Sequence, residues 1–556
     1  MSYSLQIRVF YAIIPKRSSM NIFKKYKNVI GNVLLILFVA IVLALSVRGL
    51  PGNPTVAELN TTQWKDNGPF ELSPERGRYA FLYSLVENHS FSLEPQLAVF
   101  TSPDVGYWKG HYVSIFAPSI SFLAIPGYLI GKHFGMAQFG TFAGMSLFAL
   151  LNVLLIRFIA VRLGANSVAA TISAIAFLFG TPAFAYAVTI YEHHTSVFLM
   201  LLSFYLLIRF NNFISLFAIW LLYAFAFTVD YPNLFMMFPI ALGAFFRSSI
   251  VEKIQKKLVV RISLPRLFSM IGLIFPLIFF LWVNQMSYGS PLKISGSVPT
   301  IEGVNKNGSP IFLSDLEKAE LSKNKSKAKQ QQPVNIPPPS ALSFFEPRNM
   351  LNGFYILLFS PDRGIIMYAP IILFGIFGMM YAGRKKERYL PITLGVIGFN
   401  FLLYSMWGDP YGGWAFGGRY LIPAYAILSI YTAVLLTRFG KNKAFLLLFF
   451  IVFTYSISVN SLGALTSNSN PPQIQAASLS EITHSKVDYT YVRNINDLNS
   501  DISKSFVFTT FADNYISAWQ YYSYITMFIL TVSAFILMYY LISLKDKLKK
   551  GGKDVL

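Results

Sequence analysis

Charged side chains at the ends of apolar segments are the feature of this sequence best able to do chemistry. One membrane topology places six of them on the same face: Glu75, Glu192, Asp230, Asp362, Asp409 and Arg419. Charge next to lipid is costly, so its placement there usually serves a function. The sequence therefore predicts a membrane-embedded enzyme with its site near one surface.

Glu75 is the first candidate for acid–base chemistry. It lies in a Ser-Pro-Glu helix start, and Tyr79 begins an apolar face that predicts an amphipathic helix at the membrane interface. The neighbouring Arg76 and Arg78 would hold the Glu75 carboxylate ionised. Such a carboxylate suits a general base or a metal ligand. The alternative is a helix-capping or arginine-paired glutamate, which the local chemistry alone favours.

A second acidic group lies at the tips of two predicted helical hairpins. Glu192, His193 and His194 could ligate a metal ion, but neighbouring helical residues point about 100° apart, so not all three can reach one ion. Ordinary interfacial polar residues are the alternative. Asp230 interrupts apolar sequence on both sides. It is therefore a stronger candidate, although aspartate is also common in turns.

Two glycine-containing segments predict a site for phosphate. Residues 407–420 form a Gly-rich aromatic loop that contains Asp409 and opens a helix at Arg419, and residues 360–364 have similar character around Arg363. Glycines allow close backbone approach, helix N-termini favour anions, and arginine grips phosphate with two hydrogen bonds. The aromatic residues could instead form an interfacial belt, but a belt does not explain the glycines.

The composition requires a membrane protein. Of 556 residues, 54% are hydrophobic and 13% charged, and apolar runs such as 29–47, 267–283 and 444–459 are long enough to cross about 30 Å of hydrocarbon as helices. This predicts an all-α polytopic membrane protein with about 12 or 13 transmembrane helices and extracytoplasmic interfacial helices. The chain contains no cysteine, which excludes disulfides and thiol catalysis.

The distribution of basic residues predicts the topology. The net charge of +21 comes from short Lys/Arg clusters between apolar runs, which is typical of cytoplasmic loops and not of nucleic-acid binding. This distribution of basic clusters predicts twelve membrane spans with both termini on the cytoplasmic side. The predicted domains are a basic cytoplasmic N-terminus (1–27), a transmembrane domain (28–460) with outer loops 49–112 and 291–363, an extracytoplasmic segment (461–519), a last span (520–543) and a cytoplasmic tail (544–556).

Two segments within these loops receive separate predictions. Residues 305–340 are rich in Lys, Ser, Asn, Gln and Pro and are predicted to be mobile. Residues 113–130 are apolar, but the alternation of the other spans leaves no crossing for them. They are predicted to form a re-entrant or interfacial pair of short helices, with a membrane-spanning helix as the alternative.

In their order along the chain, these motifs resemble the GT-C superfamily of membrane glycosyltransferases, in particular bacterial and archaeal family 39-like members related to protein mannosyltransferases. The matching stretches are Glu75 to Tyr79, Gly110-His111-Tyr112 to Pro118 with Pro126, Ser360 to Tyr368, and Gly412 to Pro423. The chain departs from the family where an Asp-Glu pair is usual, because it has Glu75-Arg76 there.

The resemblance implies a GT-C-like fold and transfer of a sugar from a polyprenyl-phosphate donor to an extracytoplasmic acceptor, which could be a glycan, a lipid or a protein. Glu75 would be the base, or with Glu192 would bind a divalent ion such as Mg²⁺ or Mn²⁺. The predicted substrate-binding residues are Arg78, Tyr79, His111, Glu192, His193, Asp230, Arg363, Asp409 and Arg419. For Arg363 and Arg419, contact with the donor phosphate is inferred from charge chemistry alone.

The resemblance also implies a multi-pass protein of the plasma (inner) membrane, in contact with the lipid bilayer and with its active site on the extracytoplasmic side. A transporter or lipid flippase is the alternative function, although transporters place ionisable groups near the bilayer midplane. A non-catalytic assembly subunit is a third interpretation, because the acidic pair is incomplete.

Overall fold

A computed structural model describes residues 17–65, 67–247, 249–254, 257–312 and 345–551. In the first half of the chain its α-helices are α1 Arg17–Ser46, α2 Val56–Leu59, α3 Ser73–Glu87, α4 Pro95–Thr101, α5 Ser119–His133, α6 Ala137–Arg162, α7 Ser167–Phe179, α8 Ala183–Ala187, α9 His193–Arg209, α10 Phe213–Val229, α11 Asn233–Met236 and α12 Phe238–Arg247. In the second half they are α13 Leu264–Leu267, α14 Ile274–Tyr288, α15 Met350–Phe359, α16 Ile365–Tyr368, α17 Leu373–Arg384, α18 Leu390–Ser405, α19 Ile422–Phe439, α20 Lys443–Leu465, α21 Gln473–Thr483, α22 Val492–Asn499 and α23 Ala518–Gly551.

Strands and tighter helical turns make up little of the described chain. The strands are β1 Val105–Trp108, β2 His111–Ser114, β3 Ser249–Ile254, β4 Lys257–Ile262, β5 Thr300–Ile301, β6 Gly303–Val304 and β7 Pro310–Ile311. The 3-10 turns are Phe268–Leu273, Ser295–Ser297, Pro347–Asn349, Pro370–Ile372 and Arg419–Leu421, and Phe508–Ala512 is a π-helical turn.

Apolar helices account for every predicted span. Among the described residues, six are long and apolar enough to cross a membrane: Val29–Ser46, Ala137–Arg162, Leu264–Tyr288, Arg419–Phe439, Lys443–Leu465 and Ala518–Tyr539. Six shorter apolar helices are Ser167–Phe179, His193–Arg209, Phe213–Val229, Phe238–Arg247, Pro370–Arg384 and Leu390–Ser405. Each of the twelve predicted spans overlaps one of these helices, and the predicted all-α polytopic membrane fold is confirmed.

Three spans predicted as continuous helices are interrupted. The span 168–188 divides into α7 and α8, and the spans 231–246 and 364–381 also divide into shorter helices. Pro182, Pro239 and Pro370 lie at these interruptions. Proline has no backbone N–H and clashes with the preceding turn, so it ends one helix and is tolerated at the start of the next.

The segment 113–130 contains one helix, so the predicted pair of short helices is wrong. Residues up to Ser114 complete β2, and α5 follows with Pro126 inside it. Its 15 residues extend about 22 Å, which is less than the hydrocarbon thickness of about 30 Å. This length does not decide between crossing and re-entry, because α7, which overlaps a predicted span, has only 13 residues.

Glycines allow α5 to pack closely against α6. Gly127 and Gly131 on α5 meet Gly140 and Gly144 on α6, and a Cβ added at Gly127 would lie 2.5 Å from the Gly140 carbonyl oxygen. Small residues spaced four apart on facing helices let two backbones approach, as in membrane helix pairs. This contact joins the segment before the second span to the span itself.

The three predicted outer segments contact one another. Strand β1 pairs with both β2 and β5 in an antiparallel sheet, with Val105 opposite Ile301, which joins loop 49–112 to loop 291–363. The Phe506 N–H donates to the Val47 carbonyl at 2.9 Å, and the Gly49 N–H donates to the Lys504 carbonyl at 3.2 Å, which joins segment 461–519 to the first span. The assignment of this face to the extracytoplasmic side stays a prediction.

Some predictions fall on parts of the chain outside the described residues. These parts include most of 1–27 and most of the predicted mobile segment 305–340. The basic segment between α12 and α13, predicted to lie inside, forms the antiparallel strand pair β3 and β4.

We expect Gly127→Leu to destabilise the protein by about 1–3 kcal/mol, because the new side chain would overlap the α6 backbone. The measurement is thermal unfolding of the purified protein in detergent. Gly398→Leu is the matched control, since no atom lies within 4 Å of a Cβ at that position. Equal melting temperatures for the two variants would contradict the described α5–α6 contact.

Candidate active site

Helix α3 carries the first group of predicted site residues. It begins with Pro74 in its first turn, as predicted. The helix does not have the predicted division into a polar and an apolar face, however, because all residues from Glu75 to Leu82 are buried. Its place at the membrane interface stays a prediction. Tyr79 is in the core, where its ring packs 4.6 Å from that of Phe70. The buried helix therefore holds its polar residues in fixed positions.

Glu75 is fully buried and already hydrogen-bonded. Its carboxylate accepts from Thr189 Oγ1 at 2.7 Å, from Asn468 Nδ2 at 3.0 Å and from the Leu72 N–H at 3.2 Å. Burial raises the pKa of Glu75, and nearby Arg48 opposes this increase. Glu75 lines neither of the two cavities described below. It connects α3 to the segment before Glu192 and to the chain after α20.

A cavity of about 410 Å³ lies between α3, the end of α10 and the start of α19. We call it the apolar cavity, because most of its walls are aromatic and aliphatic. Its lining residues are Pro74, Arg78, Ile115, Phe116, Tyr191, Glu192, Phe227, Asp230, Tyr231, Pro232, Leu234, Phe235, Ile294, Gly296, Phe345, Tyr404, Trp407, Arg419 and Tyr420. It thus brings together four predicted site residues from distant parts of the sequence, namely Arg78, Glu192, Asp230 and Arg419.

Two of these four residues neutralise each other. Arg78 and Glu192 form a buried ion pair, and Arg78 also donates to the Pro74 carbonyl at 2.9 Å. Burial alone would raise the pKa of Glu192, but the charge of Arg78 lowers it to about 2. His193 lies behind this pair, with its Nδ1 3.6 Å from the carboxylate and its ring parallel to that of Tyr191. Glu192 therefore stays ionised.

Asp230 has no such partner. It is the residue that ends α10, it is half-buried, and no described residue forms an ion pair with its carboxylate. Burial raises the pKa of Asp230 well above its usual value, and repulsion from Glu192 adds to the increase. Neighbouring carboxylates whose pKa values are driven apart are typical of acid–base sites. Asp230 is therefore the carboxylate best placed to exchange a proton inside the cavity.

Arg419 supplies the unpaired positive charge. Its Nη2 donates to the Gly412 carbonyl at 2.6 Å, and its guanidinium lies over the rings of Tyr191 at 5.4 Å and Tyr420 at 5.6 Å. No carboxylate of the described residues forms a salt bridge with it. A guanidinium held by one carbonyl and two aromatic faces keeps donors available for an anion.

Arg363, also predicted to contact phosphate, instead organises the Gly-rich loop. It is fully buried and donates to the carbonyls of Tyr411 at 2.8 Å, Gly413 at 2.8 Å and Asn470 at 3.0 Å. It lines neither cavity. The two phosphate motifs therefore meet, but Arg363 holds the loop that positions Arg419 rather than facing the cavity itself.

A second cavity, of about 1100 Å³, lies beside the first, and we call it the polar cavity. Its lining residues are Glu71, Leu72, Ser73, Pro74, Arg76, Pro103, Asp104, Phe116, Glu346, Trp407, Gly408, Asp409, Gly412, Gly413, Trp414, Arg419, Tyr420, Ser469 and Arg493. The two cavities share Arg419, so an apolar and a polar compartment meet at one cation. Asp409 is exposed here and accepts from the N–H groups of Tyr411 and Gly413.

The remaining predictions are placed as follows. His111 begins β2, is exposed and lies in neither cavity. Glu75 and Glu192 do not fit the predicted metal site. The Glu75 carboxylate already accepts three hydrogen bonds, and the Glu192 carboxylate is paired with Arg78. Among the described residues, no group of three or more His, Asp or Glu side chains could hold a metal ion.

Sequence reasoning missed a buried charge cluster of Arg48, Glu71 and Lys504. Arg48 is fully buried and its Nη1 lies 2.9 Å from the Glu71 carboxylate, while Lys504 Nζ lies 2.5 Å from it. Burial alone would raise the pKa of Glu71, but these two cations hold it below its usual value of 4.5. The available signal was Arg48 at the very end of the first span, a cation without an acid nearby in the sequence.

No protein-family model matches this sequence, and no curated protein is significantly similar to it. Among solved structures, ArnT from Cupriavidus metallidurans in the apo state is 13% identical, with a TM-score of 0.43 over 92% of this chain and 77% of that chain. ArnT bound to undecaprenyl phosphate is 13% identical, with a TM-score of 0.40 over the same shares. The archaeal oligosaccharyltransferase AglB from Archaeoglobus fulgidus, in complex with an inhibitory peptide and a dolichol-phosphate, is 12% identical, with a TM-score of 0.40 over 84% of this chain and 59% of that chain.

TM-scores of 0.40 to 0.43 are too low for these similarities to carry an argument about activity. The function of this chain is therefore argued from its own side chains.

We expect Glu71→Gln to destabilise the protein by about 3–5 kcal/mol, because it leaves two buried cations without a counter-charge. Since the folded-state pKa of Glu71 is lowered, its contribution is complete above the usual value of 4.5 and is lost as the pH falls through the folded value. Unfolding measured from neutral to acidic pH should therefore show a steeper decline for the wild type than for Glu71→Gln.

The matched control for this measurement is Glu94→Gln, which removes an exposed carboxylate and should change stability by no more than about 0.5 kcal/mol. Equal stability of the Glu71 and Glu94 variants at neutral pH would show that the cluster is not essential to the fold.

Proposed function

We propose that this protein is a membrane glycosyltransferase that moves a sugar from a polyprenyl-phosphate donor to an acceptor. The observation that carries the proposal is Arg419, an unpaired guanidinium at the junction of the apolar and polar cavities, with Asp230 in the same apolar cavity. An isoprenoid chain needs apolar walls, its phosphate needs a cation, and a sugar acceptor needs a polar compartment. The site provides all three.

The donor lies in the apolar cavity in this proposal. Aromatic and aliphatic walls such as Phe227, Phe235 and Phe345 accommodate the isoprenoid chain. Arg419 binds the phosphate, since arginine offers paired N–H donors to phosphate oxygens. Arg78 adds little net charge because Glu192 already neutralises it.

The acceptor enters through the polar cavity, and its hydroxyl attacks the anomeric carbon of the donor sugar. The new bond forms between the acceptor oxygen and that carbon, and the bond from the carbon to the phosphate oxygen breaks. Asp230 takes the hydroxyl proton as the general base, and polyprenyl phosphate leaves with the bonding electron pair. Arg419 stabilises the negative charge that develops on the departing phosphate.

Asp230 replaces Glu75 as the proposed base, because a base must reach the proton that it removes. Glu75 is enclosed by three hydrogen-bond donors and lines neither cavity. We assign Glu75 a positioning role between α3 and the Glu192 segment. Glu192, with its pKa near 2, stays ionised and keeps the pKa of Asp230 high by repulsion.

We expect Asp230→Asn to lower kcat by about 10²- to 10⁴-fold, the usual contribution of a general base. The base acts deprotonated, so wild-type activity should rise as the pH increases through the raised pKa of Asp230, and the variant should lose this dependence. The measurement is release of polyprenyl phosphate when purified protein is incubated with polyprenyl-phosphate sugars and membrane glycans.

Two comparisons sharpen this test. Asp513→Asn removes an exposed carboxylate far along the sequence and should leave kcat unchanged. Glu75→Gln should retain the pH dependence even where it lowers the amount of folded protein. Full activity of Asp230→Asn together with a flat pH profile for Glu75→Gln would return the role of base to Glu75.

We expect Arg419→Gln to lower kcat by about 10²- to 10³-fold, since it removes the charge that stabilises the leaving phosphate. Arg419→Lys should restore part of the activity, because lysine keeps the charge but loses the paired donors. Arg493→Gln, which changes another lining residue of the polar cavity, is the control and should mainly raise the KM for the acceptor. A normal kcat for Arg419→Gln would reject the proposed phosphate contact.

A further inference from the structure

A groove on a different part of the molecule contains a buried arginine in otherwise apolar surroundings. The groove encloses about 660 Å³ between α1, the beginning of α7 and α23. Among the described residues that line it, Arg157 of α6 is the charged one, and side chains such as Leu34 and Phe535 are largely exposed. This volume is within the range of ligand-binding pockets, about 300–1,000 Å³.

Arg157 is held firmly but lacks a counter-charge. It is only 6% exposed, its Nε donates to Thr171 Oγ1 at 3.0 Å, and its Nη1 donates to Asn32 Oδ1. Among the residues whose side chains the structure describes, no carboxylate forms a salt bridge with Arg157, and no group accepts a hydrogen bond from its Nη2. A buried charge without a partner is expensive, so an anion is the missing component.

Arg157 lies near one end of a helix that is long and apolar enough to cross a membrane. It lies five residues before the end of α6 at Arg162, which is about 8 Å along the helix axis. In the sequence, a cluster of Lys24, Lys25 and Lys27 comes a few positions before Ile30, the first residue of the groove. Such clusters attract the anionic lipids of the cytoplasmic leaflet.

We propose that this groove binds one anionic phospholipid, with its phosphate on Arg157 and its acyl chains along α1 and α23. The charge of Arg157 selects an anionic occupant, and the apolar walls select a lipid rather than a free ion. Residues 1–16 offer no counter-charge to Arg157, because they carry Arg8 and Lys16 and no acidic side chain. The site is separate from the apolar cavity and does not depend on the proposed transferase activity.

Two variants test the site in different ways. Arg157→Gln removes the charge, whereas Gly31→Leu fills the groove without touching the arginine, since no atom lies within 4 Å of a Cβ at Gly31. Arg162→Gln, an exposed arginine on the same helix, is the matched control. Arg419→Gln alters the apolar cavity and not the groove. It therefore distinguishes lipid bound in the cavity from lipid bound in the groove.

The measurement is native mass spectrometry of the purified full chain after exchange into detergent containing either phosphatidylglycerol or phosphatidylcholine. We expect one retained phosphatidylglycerol per chain in the wild type and in the Arg162 and Arg419 variants. Affinity should fall about tenfold or more in Arg157→Gln, the usual cost of losing a hydrogen bond to a charged group. It should fall at least as much in Gly31→Leu, because the new side chain occupies space in the groove. If Arg157→Gln does not fold, Gly31→Leu decides alone.

Several results would overturn the proposal. Equal retention of phosphatidylcholine would show that Arg157 does not select an anion. Retention of phosphatidylglycerol by both Arg157→Gln and Gly31→Leu would place the lipid elsewhere. A lipid-free dimer that Gly31→Leu converts to monomers would identify the occupant as a second copy of the chain, and competition by inorganic phosphate alone would identify a free anion.

Discussion

The buried carboxylate of Glu71 is the constraint on which the arrangement of the candidate site depends. It contacts Arg48 at the end of the first span and Lys504 before the last span, and it accepts from Ser467 after α20 at 2.8 Å. Removing such charges from water is costly, and they are stable only when their partners are in place. Three distant segments are therefore fixed around one anion, directly beside α3 and the polar cavity.

Further polar contacts connect the charge cluster around Glu71 to the segments that line the cavities. Asn468 donates to Glu75 at 3.0 Å and accepts from Arg48 at 2.9 Å, so the charge cluster continues into the hydrogen bonds of α3. Arg363 then joins the Gly-rich loop to the chain after α20, since it donates to two carbonyls of the loop and to the Asn470 carbonyl. Asp230 and Arg419 line the apolar cavity. The residues that form these supporting contacts, Asn468, Glu75 and Arg363, line neither cavity.

The sequence predicted the positions of the spans because long apolar runs are typical of membrane helices, although three of these spans are interrupted. It also predicted that Asp230, Glu192 and Arg419 would lie on one face, since charge at the end of an apolar run is costly wherever it is placed, and all three line the apolar cavity. It could not rank them. Whether a carboxylate faces a cavity, like Asp230, or is enclosed by donors, like Glu75, depends on helix rotation and on partners hundreds of residues away, such as Asn468. The pair of short helices predicted over 113–130 is wrong because the start of the segment completes β2 and α5 continues through Pro126.

The shared position of Arg419 has a thermodynamic consequence. Its guanidinium borders both the apolar and the polar cavity, and a single charged group cannot turn fully toward two compartments at once. Any ligand that draws it to one side changes the binding free energy on the other side by an equal and reciprocal amount. Occupancy of the two compartments is therefore linked, and the affinity of each for its ligand is set partly by what fills its neighbour.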